Sequence, residues 1–341
     1  MKHYLGIDVS LEASSLCVVD GEGRIVREGK VASEPEAILA WLAAAQIAPE
    51  RVGLEAGPLS HWLHAGLSRG GREVTLLETR HVKAALSAMA IKTDRNDARG
   101  IAQLLRLGWF KPVHAKALLA QEGRALLTAR KLLVDKIRDL ESSIRGLLRN
   151  FGLKVRHIGK AGFAGRIQTL VAGQAMLELI TAPLLEARDA LRRELAVLHR
   201  AVMRLARGCP ICRQLMTAPG VGAVVALTFK STIDDPARFA HSRDIGPYLG
   251  LVPRRHQSGE TDYVGSITRI GDTMLRTALY EAATTILRMP RRSALRAWAR
   301  RLAERAGVRK ARVALTRKLG IVLHRMWTSG SLFRWETAAT M

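Results

Sequence analysis

The hydrophobic pattern of this chain changes near residue 110, and that change most constrains its fold. Before it, short apolar runs such as Tyr4 to Val9 and Val52 to Glu55 are separated by turns rich in glycine and proline, a pattern typical of strands and short helices. After it, apolar residues recur at alternating spacings of four and three, the heptad pattern of long packed helices. The first such series is Leu133, Ile137, Leu140, Ile144, Leu147 and Phe151.

Residues 1 to 110 predict an α/β domain with a mixed sheet. Three strands are expected up to Val31, with a turn at Gly21 to Gly23. Pro35 to Ala45 looks helical, with proline in the first turn. Further strands at Val52 to Glu55 and Val74 to Leu77 then alternate with helices up to about residue 107. A meander followed by alternating helices and strands indicates one layered α/β unit.

Residues 111 to 207 predict a long helical, coiled-coil arm. A glycine-rich and basic stretch, Gly152 to Gly165, is expected to be the loop between two helices. Heptads do not say which chain supplies the partner helix, so an intramolecular hairpin and a dimerising arm both remain open. The second heptad series is Leu191, Leu195, Leu198, Val202 and Leu205.

Residues 208 to 341 predict a smaller, mainly helical domain. Gly220 and Gly222 lie in a tight glycine-rich hairpin between two apolar segments, a turn whose amides can face a phosphate. After Pro253 the chain looks polar and loop-like to about Gly271. The stretch from 288 to 325 has 13 Lys and Arg and a single acid. Its apolar residues keep helical spacing, which predicts folded helices with a cationic face.

Positive charge is confined to the later part of the chain. The protein has 54 Lys and Arg against 30 Asp and Glu, a net charge of +24. Residues 1 to 110 hold 13 of each sign, so the remaining residues carry the whole excess. Such a distribution favours nucleic acid as the partner. An Arg-rich proteome is the alternative explanation, and the neutral first third argues against it.

Other sequence features concern the compartment. No apolar stretch reaches the roughly 18 to 20 residues that cross a bilayer, so no membrane partner is expected. Asp8 stands where a signal peptide would need its apolar centre. Three cysteines, Cys17, Cys209 and Cys212, are too few for a disulfide framework. We therefore expect a cytoplasmic protein.

Four carboxylates are the candidate metal ligands. Asp8 lies in an apolar strand, where an ionised group needs a counter-ion, and Glu55 ends a second apolar run. Thr93 is a good N-cap, and a spacing of three puts Asp94 and Asp97 on one helical face. Clustered carboxylates suit Mg²⁺, or else Mn²⁺, and two such ions can clamp the reacting oxygens of a phosphodiester. Taken singly, the helix acids could be favourable N-terminal charges and Glu55 a surface residue.

The order strand Asp, strand Glu, helix Asp-x-x-Asp resembles the RNase H-like nuclease fold of Holliday-junction resolvases, with its D-E-D-D set. The stretch Thr93 to Ala98 is especially similar to insertion-sequence transposases with a resolvase-like N-terminal domain, also described as bridge-RNA-guided recombinases. The later part of the chain resembles the serine transposase domain of the same family. The motifs that carry this second resemblance are Pro219 to Gly222, Tyr248 to Gly259, Ile267 to Asp272 and Leu275-Arg276.

The resemblance implies that Ser258 is the nucleophile, held in a loop that departs from the family pattern at Gln257 and Glu260. A free hydroxyl needs activation, and His256 and the carboxylate site are both candidates for it. Without the resemblance, Ser258 and Gly259 would indicate a plain turn. Cationic side chains near the serine could hold the scissile phosphate; they are Arg254, Arg255 and Arg269.

The same resemblance implies the partners and the product. These are donor and target DNA, a structured guide RNA, and dimers or tetramers in which the carboxylates of one subunit face the serine of another. The product is a 5′-phosphoserine link with a free 3′-hydroxyl, formed at the bacterial nucleoid. Two alternatives remain: a metal-dependent, structure-specific nuclease that uses water, and a non-catalytic protein that binds RNA or DNA.

Three further motifs are weaker. Cys209 and Cys212 have the spacing of half a zinc site, without a second pair. Tyr4 to Asp8 also resembles the first phosphate motif of actin-like sugar kinases, but the second phosphate loop and the adenosine motif are not evident. Tryptophans among arginines could stack on bases, although core packing is favoured for at least two of them; these are Trp298, Trp327 and Trp335.

Overall fold

The computed structural model describes residues 2–89, 91–159 and 161–335. The chain divides into two compact units, Met1–Lys116 and Ala117–Met341. Nearly all of the segment predicted as a separate helical arm belongs to the second of these units. Each unit is built around its own hydrophobic core.

The first unit contains a six-stranded mixed sheet, and this prediction is confirmed. Its spatial order is β3-β2-β1-β4-β5-β6. The first three strands pair antiparallel, whereas β1, β4 and β5 run parallel. The last strand has only two residues, too few to leave a pattern in the sequence. The strands are β1 His3–Asp8, β2 Ala13–Asp20, β3 Ile25–Ala32, β4 Arg51–Glu55, β5 Val74–Leu77 and β6 Pro112–Val113.

Helices cover both faces of this sheet because the strand side chains alternate. Leu5 and Ile7 point into a core shared with the first two helices, while Tyr4 packs against the core on the opposite side. That opposite side is covered by the fourth helix. The helices are α1 Pro35–Ala44, α2 Ser60–Arg69, α3 Thr79–Leu86 and α4 Asp94–Leu107.

Gly6 sets the distance between α4 and the central strand. A Cβ built at Gly6 would overlap the backbone of Ala98 and Ala102 on α4. The helix therefore lies directly on β1, with no side chain between the two backbones at this point. This contact fixes where the first turn of α4 begins relative to the end of β1.

The second unit begins with two long antiparallel helices, α5 Leu118–Arg149 and α7 Ala175–Gly208. Arg188 donates from Nε to Oε1 of Glu141 over 2.7 Å, and the Arg188 side chain is only 1% exposed. The guanidinium also lies 4.9 Å from the ring centroid of Phe163. Phe163 opens a short helix, α6 Phe163–Val171, within and beyond the stretch predicted as a loop.

The two long helices pack on each other within one chain. Ile144 and Leu148 are buried, whereas Leu147 and Phe151 of the predicted heptad series are 39% and 58% exposed. Leu205 of the second series is 49% exposed, and Ala206 beside it is buried. The observed seam therefore differs from the predicted one at these ends, because contacts with α6 and the C-terminal helices determine which side chains are covered. Dimerisation through this hairpin stays a prediction.

The remaining helices form one core that includes Phe229, Leu279 and Leu319. Trp298 and Trp327 pack against its edge. Two short 3-10 turns, Pro236–Arg238 and Ser242–Asp244, connect the second and third of these helices. None of the described helices has the length and hydrophobicity needed to span a membrane. The helices are α8 Pro210–Leu215, α9 Ala223–Ile233, α10 Ile245–Tyr248, α11 Thr273–Arg288, α12 Ala294–Ala306 and α13 Val308–Ser329.

The polar stretch after Pro253 is a β-hairpin, so the prediction of a loop there was wrong. Strand β7 Pro253–Ser258 pairs antiparallel with β8 Thr261–Ile267. Apart from Ile267 every residue of the two strands is exposed. A strand that is exposed to solvent on both faces has no alternation of polar and apolar residues. For this reason the sequence pattern did not reveal it.

Candidate functional site

Asp8 and Glu55 lie at the same edge of the sheet. Asp8 is the last residue of β1 and Glu55 the last of β4. The two strands run parallel with Ile7 opposite Leu54, so the next residue on each strand is an acid. Carboxyl ends of parallel strands meet at one edge, where ligand sites of α/β sheets gather. Both side chains are about half-buried there.

The first turn of α4 brings two more acids to this edge. The side chain of Thr93 caps the helix, with Oγ1 accepting from the backbone N of Asn96 over 3.2 Å. Asp94 and Asp97 follow in the first turn. Because α4 rests on Gly6 of β1, this turn lies beside the end of the strand that carries Asp8. The four acids therefore lie near the same edge, where Asp97 and Asp94 act electrostatically on Asp8.

The pKa values of the strand acids report this crowding. Burial, and then the negative charges of Asp97 and Asp94, raise the pKa of Asp8 to about 6, while Lys92 and Lys30 oppose the shift. Burial, and then the charges of Asp8 and Asp97, also raise the pKa of Glu55. Both carboxyls thus lack sufficient positive charge in the protein itself.

The donor set fits a hard divalent cation. It consists only of carboxylate oxygens, which Mg²⁺ and Mn²⁺ prefer, and its nearest cation is Lys30, whose Nζ lies 3.8 Å from Oδ2 of Asp94. Across residues 2–89, 91–159 and 161–335, no three or more His, Cys, Asp or Glu side chains are already drawn together closely enough to hold a metal ion. The residues that would hold the ion are Asp8, Glu55, Asp94 and Asp97.

Glu28 on β3 is a residue that the sequence reasoning missed. It accepts from Nη2 of Arg99 over 2.9 Å and from Nε of Arg95 over 2.8 Å, both on α4. Hydrogen bonds first from Arg99 and then from Arg95 lower the pKa of Glu28 to about 2. These bonds tie the beginning of α4 to the sheet, next to Asp94 and Asp97. Arg95 and Arg99, which are four residues apart on one helix, were a signal that an acidic partner is needed. Nothing in the sequence identified Glu28 as that partner.

Ser258 lies in the second unit, at the end of β7. It pairs with Thr261 across the hairpin, and Gly259, at φ +56°, and Glu260 make the turn. The residue is exposed. Among the residues that the structure describes, its hydroxyl makes no hydrogen bond. The geometry is that of an accessible hydroxyl at the tip of a projecting hairpin.

The predicted phosphate-binding residues around Ser258 differ in availability. Arg255 donates to both carboxylate oxygens of Asp262, over 2.9 and 2.6 Å, so its charge is already paired. His256 stacks on Tyr263 with 5.5 Å between ring centroids. Arg254 donates weakly to the backbone of Thr268, over 3.4 Å. Arg269 is exposed, with a left-handed backbone at φ +57°.

The glycine-rich turn has a packing role at its first glycine. Gly220 has φ +71°, and a Cβ there would come within 2.6 Å of the carbonyl oxygen of Ala282 on α11. Glycine is therefore required by the close approach of two segments, whatever else the turn binds. Gly222 is exposed at the N-terminus of α9 and has no neighbour where a Cβ would lie. Of the two amides, only that of Gly222 belongs to an open helix end.

A family model of DEDD-type transposases, described as "Transposase", matches residues 5–152, which include the mixed sheet and the Asp-x-x-Asp helix. A second model, "Transposase IS116/IS110/IS902 family", matches residues 212–300. The chain belongs to the IS116/IS110/IS902 family of transposases.

Three curated relatives extend this match over most of the chain. The transposase for insertion sequence element IS1111A of Coxiella burnetii is 28% identical over 97% of this chain and 91% of its own length. A putative transposase (y4pF/y4sB) of Sinorhizobium fredii is 30% identical, over 84% and 75%. A probable family 20 transposase of Pseudomonas aeruginosa is 28% identical, over 85% and 87%.

Among solved structures, T. thermophilus RuvC in complex with Holliday junction substrate aligns with 33% of this chain and 100% of its own chain. The sequence identity is 18% and the TM-score 0.26.

Proposed function

We propose that this transposase cuts and rejoins DNA strands through a covalent bond between Ser258 and DNA, supported by divalent cations at the four acids. The observation that carries the proposal is the convergence of Asp8, Glu55, Asp94 and Asp97 at one sheet edge in a chain of this family. The raised pKa values of Asp8 and Glu55 support it, because carboxyls crowded without a counter-ion are expected where a cation belongs.

The acids hold the ion and orient it toward the scissile phosphate. When bound, a divalent cation withdraws negative charge from the phosphate and stabilises the departing oxygen. Glu28 supports this arrangement by fixing the helix that carries two of the acids. Arg254 and Arg269, whose guanidinium groups form no ion pair in the described chain, neutralise phosphate charge near the serine.

Ser258 performs the substitution at phosphorus. Its Oγ forms a bond to the phosphorus while the bond to the 3′ oxygen breaks, and the serine proton is lost as the 3′ oxygen gains one. The DNA is left with a free 3′-hydroxyl and a 5′ phosphate attached to the protein. Since a phosphodiester is exchanged for a phosphodiester, the reverse step can join a new 3′-hydroxyl without an external energy source.

We further propose that a structured guide RNA selects donor and target DNA, and that the acids of one subunit act with the serine of another in a dimer or tetramer. The excess of 54 basic over 30 acidic residues supports binding to more than one polyanion. The placement of the acids and the serine in different compact units supports a site assembled from separate parts.

One observation favours a second candidate, a nuclease in which water is the nucleophile. The Ser258 hydroxyl has no activating base among the described residues of its own unit, whereas the acids could orient water without it. In that case the hairpin would only bind DNA and no protein-linked product would form.

Covalent trapping separates the two candidates. The full-length protein, with the RNA that copurifies, is incubated with Mg²⁺ and a 3′-labelled DNA that carries the joined ends of its insertion sequence, and is then denatured. We expect labelled DNA attached to the wild-type protein and to the control Ser143→Ala, an exposed serine on α5, but not to Ser258→Ala. Cleavage that persists in Ser258→Ala would contradict the serine mechanism and support water.

Guide RNA is tested on the same preparation. We expect nucleic acid to copurify at low salt, to be released by high salt, and to contain one predominant RNA on sequencing. A preparation with the 280 nm spectrum of protein alone at low salt would contradict RNA guidance without affecting the trapping result.

A further inference from the structure

The second unit contains a cavity of which the reaction described above uses only one lining residue, Arg269. It has a volume of about 920 Å³ and lies between the base of the hairpin and α13. Its apolar walls come from both elements, with Val264 and Ile267 on the hairpin side and Val313, Ala314 and Ile321 on α13. A cavity of this size and lining can enclose a flat, mostly apolar group.

Positive charge surrounds this apolar cavity. Five cationic residues line it, and in the described part of the chain none of their side chains makes an ion pair or a hydrogen bond. Lys318 is held with Nζ 4.1 Å from the ring centroid of Trp298, another lining residue. The five are Arg269, Arg309, Lys310, Arg317 and Lys318.

The cavity and Ser258 lie at opposite ends of the hairpin. Pro253 and the residues from Val264 to Ile267, at the base of the two strands, line the cavity. Ser258 pairs with Thr261 beside the turn at the other end. The cavity is therefore lined by a different part of the hairpin from the one that carries the serine.

We propose that this cavity binds an unpaired nucleotide of single-stranded DNA, with the base between the apolar walls and the flanking phosphates on the cationic rim. An unpaired nucleotide has a flat base that suits the apolar walls and anionic phosphates that suit the cationic rim. A base pair within a duplex does not fit, because neighbouring base pairs cover its flat faces. DNA is favoured over RNA because the walls offer few polar groups to a 2′-hydroxyl, while a thymine methyl suits them. The inference rests on the proposed function only in that a transposase must handle unpaired DNA.

The test measures binding alone, so it is independent of cleavage. Full-length protein stripped of nucleic acid is titrated with fluorescent 12-mers of oligo(dT), of oligo(rU) and of an abasic deoxyribose-phosphate strand of equal charge. We expect oligo(dT) to bind about tenfold more tightly than the abasic strand, because only the former places a base in the cavity. Equal affinity for the two strands would overturn the proposal, and tighter binding of oligo(rU) than of oligo(dT) would overturn the assignment to DNA.

Two variants locate the effect. Ala314→Phe places a phenyl ring where the base would lie and should abolish the preference for oligo(dT) while leaving affinity for the abasic strand unchanged. Val264→Asp, at a residue that is 67% exposed, should do the same without changing the packed helices, and decides the matter if Ala314→Phe does not fold.

A charge variant with a matched control completes the test. Arg309→Gln should weaken binding of both strands more than Arg305→Gln, an exposed arginine on α12 outside the cavity. Retention of the tenfold preference in Val264→Asp, or equal effects of the two arginine variants, would show that the cavity is not the site.

Discussion

Glu28 on β3 accepts a 2.9 Å hydrogen bond from Nη2 of Arg99, which lies two residues after Asp97 of the proposed metal site on α4. The glutamate side chain is only 12% exposed, and Arg99 is 34% exposed. Through Arg99 and Arg95, Glu28 holds the start of α4 against the sheet. The close backbone contact with Gly6 of β1 positions the same helix at a second point. Two independent contacts thus determine where Asp94 and Asp97 lie.

Replacing Glu28 with Gln should destabilise the protein in a pH-dependent way. Its folded pKa of about 2 lies below the ordinary value of 4.5, so its ionisation stabilises the fold above pH 4.5, and this contribution is lost as the pH falls toward 2. Allowing for solvent around the arginines, we expect a loss of about 1–2 kcal/mol at pH 7. Urea denaturation should show a smaller difference in the free energy of unfolding between the wild type and the variant at pH 3 than at pH 7. Glu22→Gln, which removes an exposed pair with Arg24, should change little at either pH.

Replacing Asp8 with Asn should stabilise the protein at neutral pH in the presence of a chelator. The folded pKa of Asp8 is raised from 3.8 to about 6. The folded state therefore binds a proton more tightly than the unfolded state, and wild-type stability falls as the pH rises from about 4 to 6 and stays low above it. The stability of the variant does not fall in this way, because Asn does not ionise. Its melting temperature should therefore exceed that of the wild type at pH 7.5 and match it near pH 4. An equal difference at both pH values would contradict the crowding of the acids.

Divalent cations should stabilise the wild-type protein. A ligand that binds only the folded state at 100 times its dissociation constant adds about 2.7 kcal/mol, which thermal melting detects readily. Asp97→Asn should lose most of the Mg²⁺-dependent increase, whereas Glu12→Gln, an exposed acid on the loop after β1, should keep it. If Glu12→Gln were affected as strongly as Asp97→Asn, the increase would reflect general screening and not a site.

Removing the buried cation of the helical hairpin should be costly. Arg188 is fully enclosed, with Glu141 and Asp189 as its acidic partners, so Arg188→Ala opens a cavity and leaves Glu141 with only the 3.9 Å pair to Arg145. We expect a loss of about 3–5 kcal/mol in the free energy of unfolding. Arg138→Ala, which breaks a pair at 3.5 Å with the arginine side chain 72% exposed, should cost less than about 1 kcal/mol. Similar losses in both variants would contradict this account of the hairpin.

The parts of the fold that the sequence predicted are those with local signals. The strands ending at Asp8 and Glu55 were recognisable as apolar runs, and Thr93 marked the beginning of α4 to the residue. Contacts between distant segments left no such signal. Glu28 looks like an ordinary polar strand residue until Arg95 and Arg99 are placed against it.

The helical hairpin and the β-hairpin show two further limits. Heptad spacing predicted long helices, but whether Leu147 or Leu148 is covered depends on α6, which the sequence left inside a loop. The strand that carries Ser258 is held by pairing with its neighbour and not by a core, so hydrophobic pattern could not reveal it.

The contact between α4 and Gly6 is made by backbone atoms of both the helix and the strand. The distance between α4 and β1 therefore does not depend on the size of any side chain, so it can persist while neighbouring residues are substituted. Relatives that share only 28% or 30% of their residues with this chain can therefore keep the same gap between strand and helix acids, provided that one position never acquires a methyl group.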